Sequence, residues 1–190
     1  AAIVAGLRTP FVKSNGVFRD ETALSMATTV VSELIARTNL SGSEVDRVVY
    51  GQVVPSIATP NIAREVVLSA GLPHSVDAYS VVRACATGTQ AIVDAALAVE
   101  SGEADVVICG GADSLSHPPI TFGDRFVKAL MQANAAKTPG AKAKAFMGLK
   151  LRDLAPNPPA IAEFSTGLTM GQSAEVMAKD NHITRIEQDE

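Results

Sequence analysis

The sequence predicts an α/β fold with a parallel sheet, and three observations support this prediction. Short apolar runs rich in β-branched residues alternate with segments of helical periodicity along residues 1–116. Hydrophobic residues make up 47% and charged residues 19% of the 190 residues, which excludes a disordered or fibrous chain and allows a sizeable core. No apolar run approaches the roughly 20 residues that a membrane-spanning helix requires. Strands separated by helices form right-handed βαβ units with parallel strands.

Four strands and three helices are expected in residues 1–116. The strands are expected at residues 3–5, 45–50, 78–82 and 104–109. The helices are expected at residues 22–38, 61–70 and 86–100. The first helix carries apolar residues at helical spacing, namely Leu24, Ala27, Val31, Leu34 and Ile35. Gly71 and Pro73 are expected to end the second.

The third helix is apolar nearly all round, since residues 86–99 contain a single charged residue, Asp94. A helix of this kind is buried on all sides. The expected sheet covers only one side of it. We therefore expect its other face to need cover that this chain does not supply.

A proline-rich and basic segment follows at residues 117–168, which we expect to be an insertion with short helices of its own. The whole chain has a net charge of −4, yet residues 125–152 contain no acidic residue and carry Arg125, Lys128, Lys137, Lys142, Lys144, Lys150 and Arg152. This basic stretch indicates an anionic ligand or surface. Lys142, Lys144 and Lys150 are the candidate ligand-binding residues.

The basic stretch allows several interpretations. It is a solvated surface, a site for the phosphates of a nucleotide-like ligand, or an anionic membrane contact through an amphipathic helix at residues 142–154. Nucleic acid is not favoured, because the net charge is negative and only Phe126 and Phe146 are available for stacking.

Helical order resumes at residues 170–179, and Thr184 with Glu187 predicts a capping box that begins a further helix. Because the chain starts without Met and stops inside this helix, we expect it to be part of a longer protein. The predicted organisation is an α/β core at 1–116, a basic insertion at 117–168, and a return segment at 169–190.

Cys85 is the candidate nucleophile. It follows the strand at 78–82 and precedes the apolar helix, so unpaired N–H groups and the positive end of the helix dipole favour a thiolate there. The small neighbours Ala84, Ala86 and Gly88 allow a close backbone approach to an acyl group or its oxyanion. The alternative, that Cys85 is a small buried apolar residue, has equal weight from position alone.

For the other cysteine, the histidines and the glycine pair, the sequence does not predict a catalytic role. Cys109 lies inside a predicted strand and is interpreted as core packing. The two cysteines form neither a disulfide framework nor a metal site, which favours a reducing compartment. His74, His117 and His182 are not tied to Cys85 by sequence, so no base is identified. Gly110 and Gly111 do not match the G-x-G-x-x-G phosphate-binding motif and are interpreted as a tight turn at the end of the strand.

Several segments together resemble the thiolase family. The segment 82–91 around Cys85 resembles the nucleophile motif of the family, and the segment 6–11 resembles its N-terminal signature. The segment 110–114 resembles its Gly-Gly-Ala-(Asp/Glu)-Ser strand end, and the segment 170–175 resembles its Met-Gly-x-Thr-Ala-Glu segment. The segment 183–190 matches a further family segment. Segments 60–65, 151–154 and 158–159 are most similar to the thiolase subunit of fatty-acid β-oxidation complexes. Val82 and Thr169 depart from family members that carry Asn and His at these positions.

The resemblance implies two similar halves with the 86–100 helix between them, this chain being about the first half. It implies an acyltransferase that cleaves a 3-ketoacyl-CoA through an acyl-Cys85 intermediate, with a substrate contact at Met170. The acid/base His and second Cys of the family belong to the other half. No metal or organic cofactor is implied, and coenzyme A is a substrate.

The implied partners are acyl-CoA and CoA, a second copy in a homodimer or tetramer, and a hydratase/dehydrogenase subunit, with a peripheral membrane contact as a further candidate. Cytoplasmic location is expected, with the mitochondrial matrix as the alternative. The rival function is a non-catalytic acyl-CoA or lipid-surface binding module. A ketoacyl synthase is disfavoured by Arg8-Thr9-Pro10 and the Met170 segment.

Overall fold

The computed structural model describes residues 1–190 and divides into two units, Ala1–Pro119 and Ile120–Glu190. The first unit carries a parallel sheet of β1 (Arg47–Gly51), β2 (Asp77–Val81) and β3 (Val107–Gly111) in the order β2-β1-β3. Its helices are α1 (Ala23–Thr38), α2 (Ile62–Ser69) and α3 (Thr87–Glu100), and a 3₁₀ turn, Gly42–Glu44, precedes β1. The predicted α/β class is confirmed. The further division at residues 168 and 169 stays a prediction.

The central strand β1 is covered on both faces. Because β2 and β3 lie on opposite sides of β1, right-handed crossovers place α2 and α3 on opposite faces of the sheet. Val48 and Tyr50 pack into a cluster with α1 and α2, which includes Val31, Ile62 and Val66. Val49 points to the other face and is also fully buried. The core therefore lies mainly between the sheet and the α1–α2 layer.

Helix α3 is covered on one side only, as the sequence predicts. Its buried residues are small: Thr87, Ala91, Ala95 and Ala98. Its larger apolar residues face outward, with exposed fractions of 43% for Ile92, 44% for Val93 and 58% for Leu97. We call these three residues the outer face of α3.

The strand predicted at residues 3–5 is wrong, and the sheet has three strands rather than four. Ile3 and Val4 are 80% and 93% exposed and pair with no strand. A strand requires a neighbour for its backbone N–H and C=O groups, and apolar residues alone do not provide one.

The strand predicted at 104–109 is observed as β3, which lies slightly further along the chain, at residues 107–111. Both glycines belong to it because they fit close neighbours. A Cβ on Gly110 would lie 2.9 Å from Cε2 of Tyr50, and one on Gly111 would lie 2.9 Å from the carbonyl oxygen of Gly51. The tight turn predicted at this pair is therefore wrong: both glycines lie within β3, where the close approach of Tyr50 and Gly51 leaves no room for a side chain.

The second unit contains the short helices expected of the insertion. Residues 117–168 carry α4 (Asp124–Ala135), α5 (Pro139–Ala145) and a 3₁₀ turn (Leu151–Leu154). Residues 169–190 carry the two helices predicted for the return segment, α6 (Met170–Asp180) and α7 (Arg185–Asp189). Two short strands, β4 (Thr121–Phe122) and β5 (Pro156–Asn157), pair antiparallel. The capping box of Thr184 and Glu187 is confirmed at the start of α7. No helix of the chain is long and apolar enough to cross a membrane.

The continuous amphipathic helix predicted at 142–154 is wrong. Helix α5 ends at Ala145, and Gly148 adopts a φ of +94°, which a right-handed helix cannot contain. The aromatic rings of Phe126 and Phe146, with centroids 6.5 Å apart, pack this turn against α4. The apolar residues thus serve a local cluster rather than one long helical face.

Burial of Tyr50 predicts a loss of stability at alkaline pH. Burial raises the pKa of Tyr50 from 10.0 to about 12, so the unfolded chain loses the proton first. The stabilisation of about 2–3 kcal/mol is complete below pH 10 and is lost as the pH rises through about 12. Urea unfolding across this range measures it, and Tyr50→Phe should remove most of the slope. A smaller slope should remain from Tyr79, whose pKa is raised by burial and by the Asp94 carboxylate.

The outer face of α3 predicts self-association of the 190-residue chain. Leu97→Glu should increase the monomer fraction in light scattering and change the unfolding free energy by only about 0.5 kcal/mol, because Leu97 is exposed. Ala95→Glu is the matched control, since Ala95 is buried on the opposite side and a charge there should unfold the domain. A chain that is already monomeric, with strongly protected α3 amides, would contradict the prediction.

Candidate active site

Cys85 lies in the turn between β2 and α3, as the sequence predicts. The pairing register sets Gly51 beside both Val81 and Gly111, so the three strands end at one edge of the sheet. The Cys85 turn begins directly after Val81 and therefore starts at this edge. Ligands of open parallel sheets bind at the carboxyl ends of the strands, which makes this edge the place to look for a site.

Cys85 is exposed and stands before an open helix N-terminus. The N-cap residue of α3, Ala86, supplies no side-chain hydrogen bond. The N–H groups of Gly88 and Thr89 donate no hydrogen bond to a carbonyl preceding the helix. These groups carry the positive end of the α3 dipole, which stabilises an anion such as a thiolate or an oxyanion. The role of Cys85 as nucleophile stays a prediction.

The turn that presents Cys85 is sharply bent. Ala84 has a φ of +46°, a left-handed conformation that is rare for a residue with a Cβ. The N–H of Ala86 donates to the carbonyl of Arg83 at 3.0 Å, and the N–H of Thr87 donates to the carbonyl of Ala84 at 3.1 Å. Two consecutive tight turns thus turn the chain from β2 into α3.

Asp113 connects two loops at the same edge of the sheet. Its carboxylate accepts hydrogen bonds from the N–H groups of Val53 at 3.0 Å and Val54 at 2.9 Å. The loop after β1 is therefore held to the end of β3. Asp113 belongs to the segment 110–114 that resembles a family motif, but the sequence alone predicts no role for it.

Cys109 differs from Cys85 in both access and ionisation. It lies half-buried on β3, and burial raises the pKa of its thiol. A thiol with a raised pKa and restricted access is a poor nucleophile. The structure therefore supports core packing for Cys109.

No histidine of the chain forms a hydrogen bond with Cys85. His117 shares a hydrogen bond of 3.2 Å with Ser114, and all three histidines are exposed. The neighbourhood of Cys85 in this chain thus offers a nucleophile and an anion-stabilising helix end, but no side-chain base.

The other predicted site residues belong to the second unit, whereas Cys85 belongs to the first. Lys142 and Lys144 lie on α5 and Lys150 precedes the 3₁₀ turn, and all three are exposed without an ion pair. Arg125, by contrast, pairs with Asp153 at 3.3 Å. Met170 is the first residue of α6 and is 60% exposed. The three lysines are thus cations available to a ligand.

The two cysteines should react at very different rates. Iodoacetamide should modify Cys85 rapidly, because it is exposed beside an open helix end, and should modify Cys109 slowly, because burial raises the pKa of its thiol. Peptide mass spectrometry after a short exposure of the folded protein measures both. Modification of Cys109 in preference to Cys85 would contradict the assignment.

Comparison with known proteins places the chain in a family. The family model "Thiolase, N-terminal domain" matches residues 1–190. A 3-ketoacyl-CoA thiolase of Pseudoalteromonas translucida (strain TAC 125) is 52% identical over 188 residues, which cover 99% of this chain and 43% of the relative. One from Shewanella pealeana (strain ATCC 700345 / ANG-SQ1) is 50% identical with the same coverage.

A solved structure agrees with these relatives. The crystal structure of the Bacillus anthracis acetyl-CoA acetyltransferase matches with a TM-score of 0.70 and 26% identity, covering 93% of this chain and 40% of the other. The chain thus spans 43% of the length of the curated relatives it matches. With a family model that matches every residue and a shared fold, the chain belongs to the thiolase family and corresponds to its N-terminal domain.

Proposed function

We propose that the protein is a 3-ketoacyl-CoA thiolase, an acetyl-CoA C-acyltransferase, with Cys85 as its nucleophile. The observation that carries this proposal is the exposed Cys85 before the open N-terminus of α3. Its chemistry matches a reaction that needs both a thiolate and stabilisation of negative charge. Relatives named 3-ketoacyl-CoA thiolase at 50–52% identity support the substrate class.

The proposed reaction proceeds in two halves. The Cys85 thiolate attacks the 3-keto carbon and forms a carbon–sulfur bond. The C2–C3 bond then breaks, its electron pair stays on C2, and protonation of C2 gives acetyl-CoA. The thiol of a second CoA, after losing its proton, attacks the acyl group on Cys85. This releases the shortened acyl-CoA and restores the Cys85 thiolate.

The chain supplies part of this chemistry. The free N–H groups of Gly88 and Thr89 favour the negative charge of the Cys85 sulfur. Protonation of C2 needs an acid, and no titratable side chain is hydrogen-bonded to Cys85. More than half of each relative's length lies outside the match, and we assign the acid to that part of the protein.

Removal of the Cys85 sulfur tests the proposed function. Incubation of the whole protein with a 3-ketoacyl-CoA should leave an acyl group on Cys85, and Cys85→Ser should abolish that adduct, because a hydroxyl is a far weaker nucleophile without an adjacent base. Cys109→Ser is the matched control and should retain it. Mass spectrometry of the intact protein and its peptides measures both. Binding of acyl-CoA without any adduct would contradict the thiolase proposal and favour a binding module.

The three free lysines suit phosphate groups, and we assign them to the CoA phosphates or to an anionic lipid surface. Lys142, Lys144 and Lys150 have no acidic partner, so their charges are available to a ligand. Exposed Met147 and Leu151 next to them would suit the lipid alternative.

Charge reversal of Lys142, Lys144 and Lys150 to Glu tests this assignment. The KM for CoA should rise about fivefold or more, or binding to phosphatidylserine vesicles should be lost, and either effect should shrink at high salt. Lys179→Glu is the control, because Lys179 already pairs with Glu175 at 3.2 Å. An unchanged KM together with unchanged vesicle binding at low ionic strength would contradict the assignment.

The partners of the whole protein follow from the same proposal. Acyl-CoA and CoA are its substrates, and a second copy of the chain and a hydratase/dehydrogenase subunit are its proposed protein partners. The two free cysteines agree with a reducing compartment such as the cytoplasm or the mitochondrial matrix.

A further inference from the structure

Thr87 holds the bent turn in front of Cys85 by two hydrogen bonds from one hydroxyl. Its Oγ1 accepts from the N–H of Arg83 at 2.8 Å and donates to the carbonyl oxygen of Ala84 at 2.7 Å. These two backbone groups flank the left-handed residue Ala84. A single side chain thus restrains the backbone of Arg83 and Ala84, the two residues that directly precede Cys85.

The position of Thr87 is itself fixed by close packing. Thr87 is 3% exposed, one of two buried polar residues of the chain. Its methyl group lies against the end of β1, because a Cβ built on Gly51 would lie 2.2 Å from Cγ2 of Thr87 and 2.5 Å from the carbonyl oxygen of Val81. Only glycine leaves the room that this contact requires. The packing of Thr87 against Gly51 therefore fixes the position of its hydroxyl relative to the sheet.

We propose that Thr87 is a positioning residue for Cys85: its hydroxyl keeps Ala84 left-handed and so holds the Cys85 sulfur at the open N-terminus of α3. The inference rests on the proposed function only in taking Cys85 as the nucleophile. The hydroxyl of Thr87 forms hydrogen bonds to the turn and none to the sulfur, so it acts through Ala84 rather than on a reacting atom.

The contacts distinguish this role from ordinary helix capping. A capping threonine precedes its helix and accepts from N–H groups of the first turn, as Thr22 does for α1 with the N–H of Ser25. Thr87 lies inside α3 and bonds backward to the preceding loop, leaving the N–H groups of Gly88 and Thr89 free. The same threonine therefore fixes the turn and leaves the anion-stabilising groups unused.

A pair of near-isosteric variants separates the hydroxyl from the methyl group. Thr87→Val keeps the methyl contact with Gly51 and loses both hydrogen bonds, while Thr87→Ser keeps the hydroxyl and loses the methyl. The hydrogen bond from Arg83 to the side chain of Gln90 remains in both variants and helps the turn to persist. All variants are made with Cys109→Ala, so that Cys85 is the only thiol.

The measurement is the rate of Cys85 alkylation by iodoacetamide from about pH 6 to pH 10, the range over which thiols ionise. Thr87→Val should slow alkylation at neutral pH about tenfold, the size expected from losing one or two hydrogen bonds. The loss should be smaller at alkaline pH, where every thiol is ionised. Thr87→Ser should remain within about twofold of the parent. Circular dichroism and thermal unfolding establish that each variant is folded.

Two results would overturn the proposal. A folded Thr87→Val with the parent's rate and pH profile would show that the hydroxyl does not position Cys85. Equal slowing in Thr87→Val and Thr87→Ser would show that alkylation responds to any change in the packing of this side chain, and not to its hydroxyl. If Thr87→Val does not fold, Thr87→Ala replaces it under the same comparison with Thr87→Ser. Because alkylation uses no CoA substrate, this test stands apart from the acylation test of the proposed function.

Discussion

The contact between Gly51 and Thr87 is the constraint on which the candidate site depends. Gly51 is the last residue of β1, and its missing side chain lets Thr87 and the carbonyl of Val81 approach its backbone. The carbonyl of Gly51 also accepts a hydrogen bond from Ala112 at 3.1 Å. The central strand, the end of β3 and the Cys85 turn therefore meet at one glycine. A site built on such rigid elements keeps its geometry better than one built on a free loop.

The two units contribute different chemistry to the proposed reaction. The first unit presents an exposed thiol before a helix end, and no acid or base is bonded to that thiol. The second unit presents unpaired lysines on and just after α5. A nucleophile and a set of cations are both required when the substrate is a thioester of a phosphorylated carrier. The large apolar residues on the outer face of α3 are a third surface, and their exposure agrees with a chain that spans less than half of its relatives.

Helices and buried strands were predictable from the sequence because their signals are local. The apolar spacing of α1, the glycine and proline after α2, and the capping box at Thr184 each act within a few residues, and the structure shows all three elements. The strand at residues 3–5 failed because strand formation depends on a neighbour that the local pattern does not specify. The continuous helix predicted at 142–154 is interrupted because Gly148 has a positive φ, although the apolar residues around it have helical spacing.

At the candidate site, the position of Cys85 in a turn was predictable from the order of strand and helix. The roles of Thr87 and Asp113 were not, because their hydrogen bonds join backbone groups that only the fold brings together.

The energetics of the Cys85 turn explain why it needs an attachment. A left-handed residue with a Cβ costs about 1–2 kcal/mol, and Ala84 has such a conformation. Each hydrogen bond of the Thr87 hydroxyl contributes about 1 kcal/mol net, so the two together roughly offset this strain. The strain at Ala84 and the two hydrogen bonds of Thr87 therefore contribute free energies of similar size and opposite sign. What tips the turn toward the observed conformation is the packing of Thr87 on Gly51, which removes the freedom of the side chain before the hydrogen bonds form. The presentation of Cys85 is therefore a property of the sheet edge as a whole rather than of the turn sequence alone.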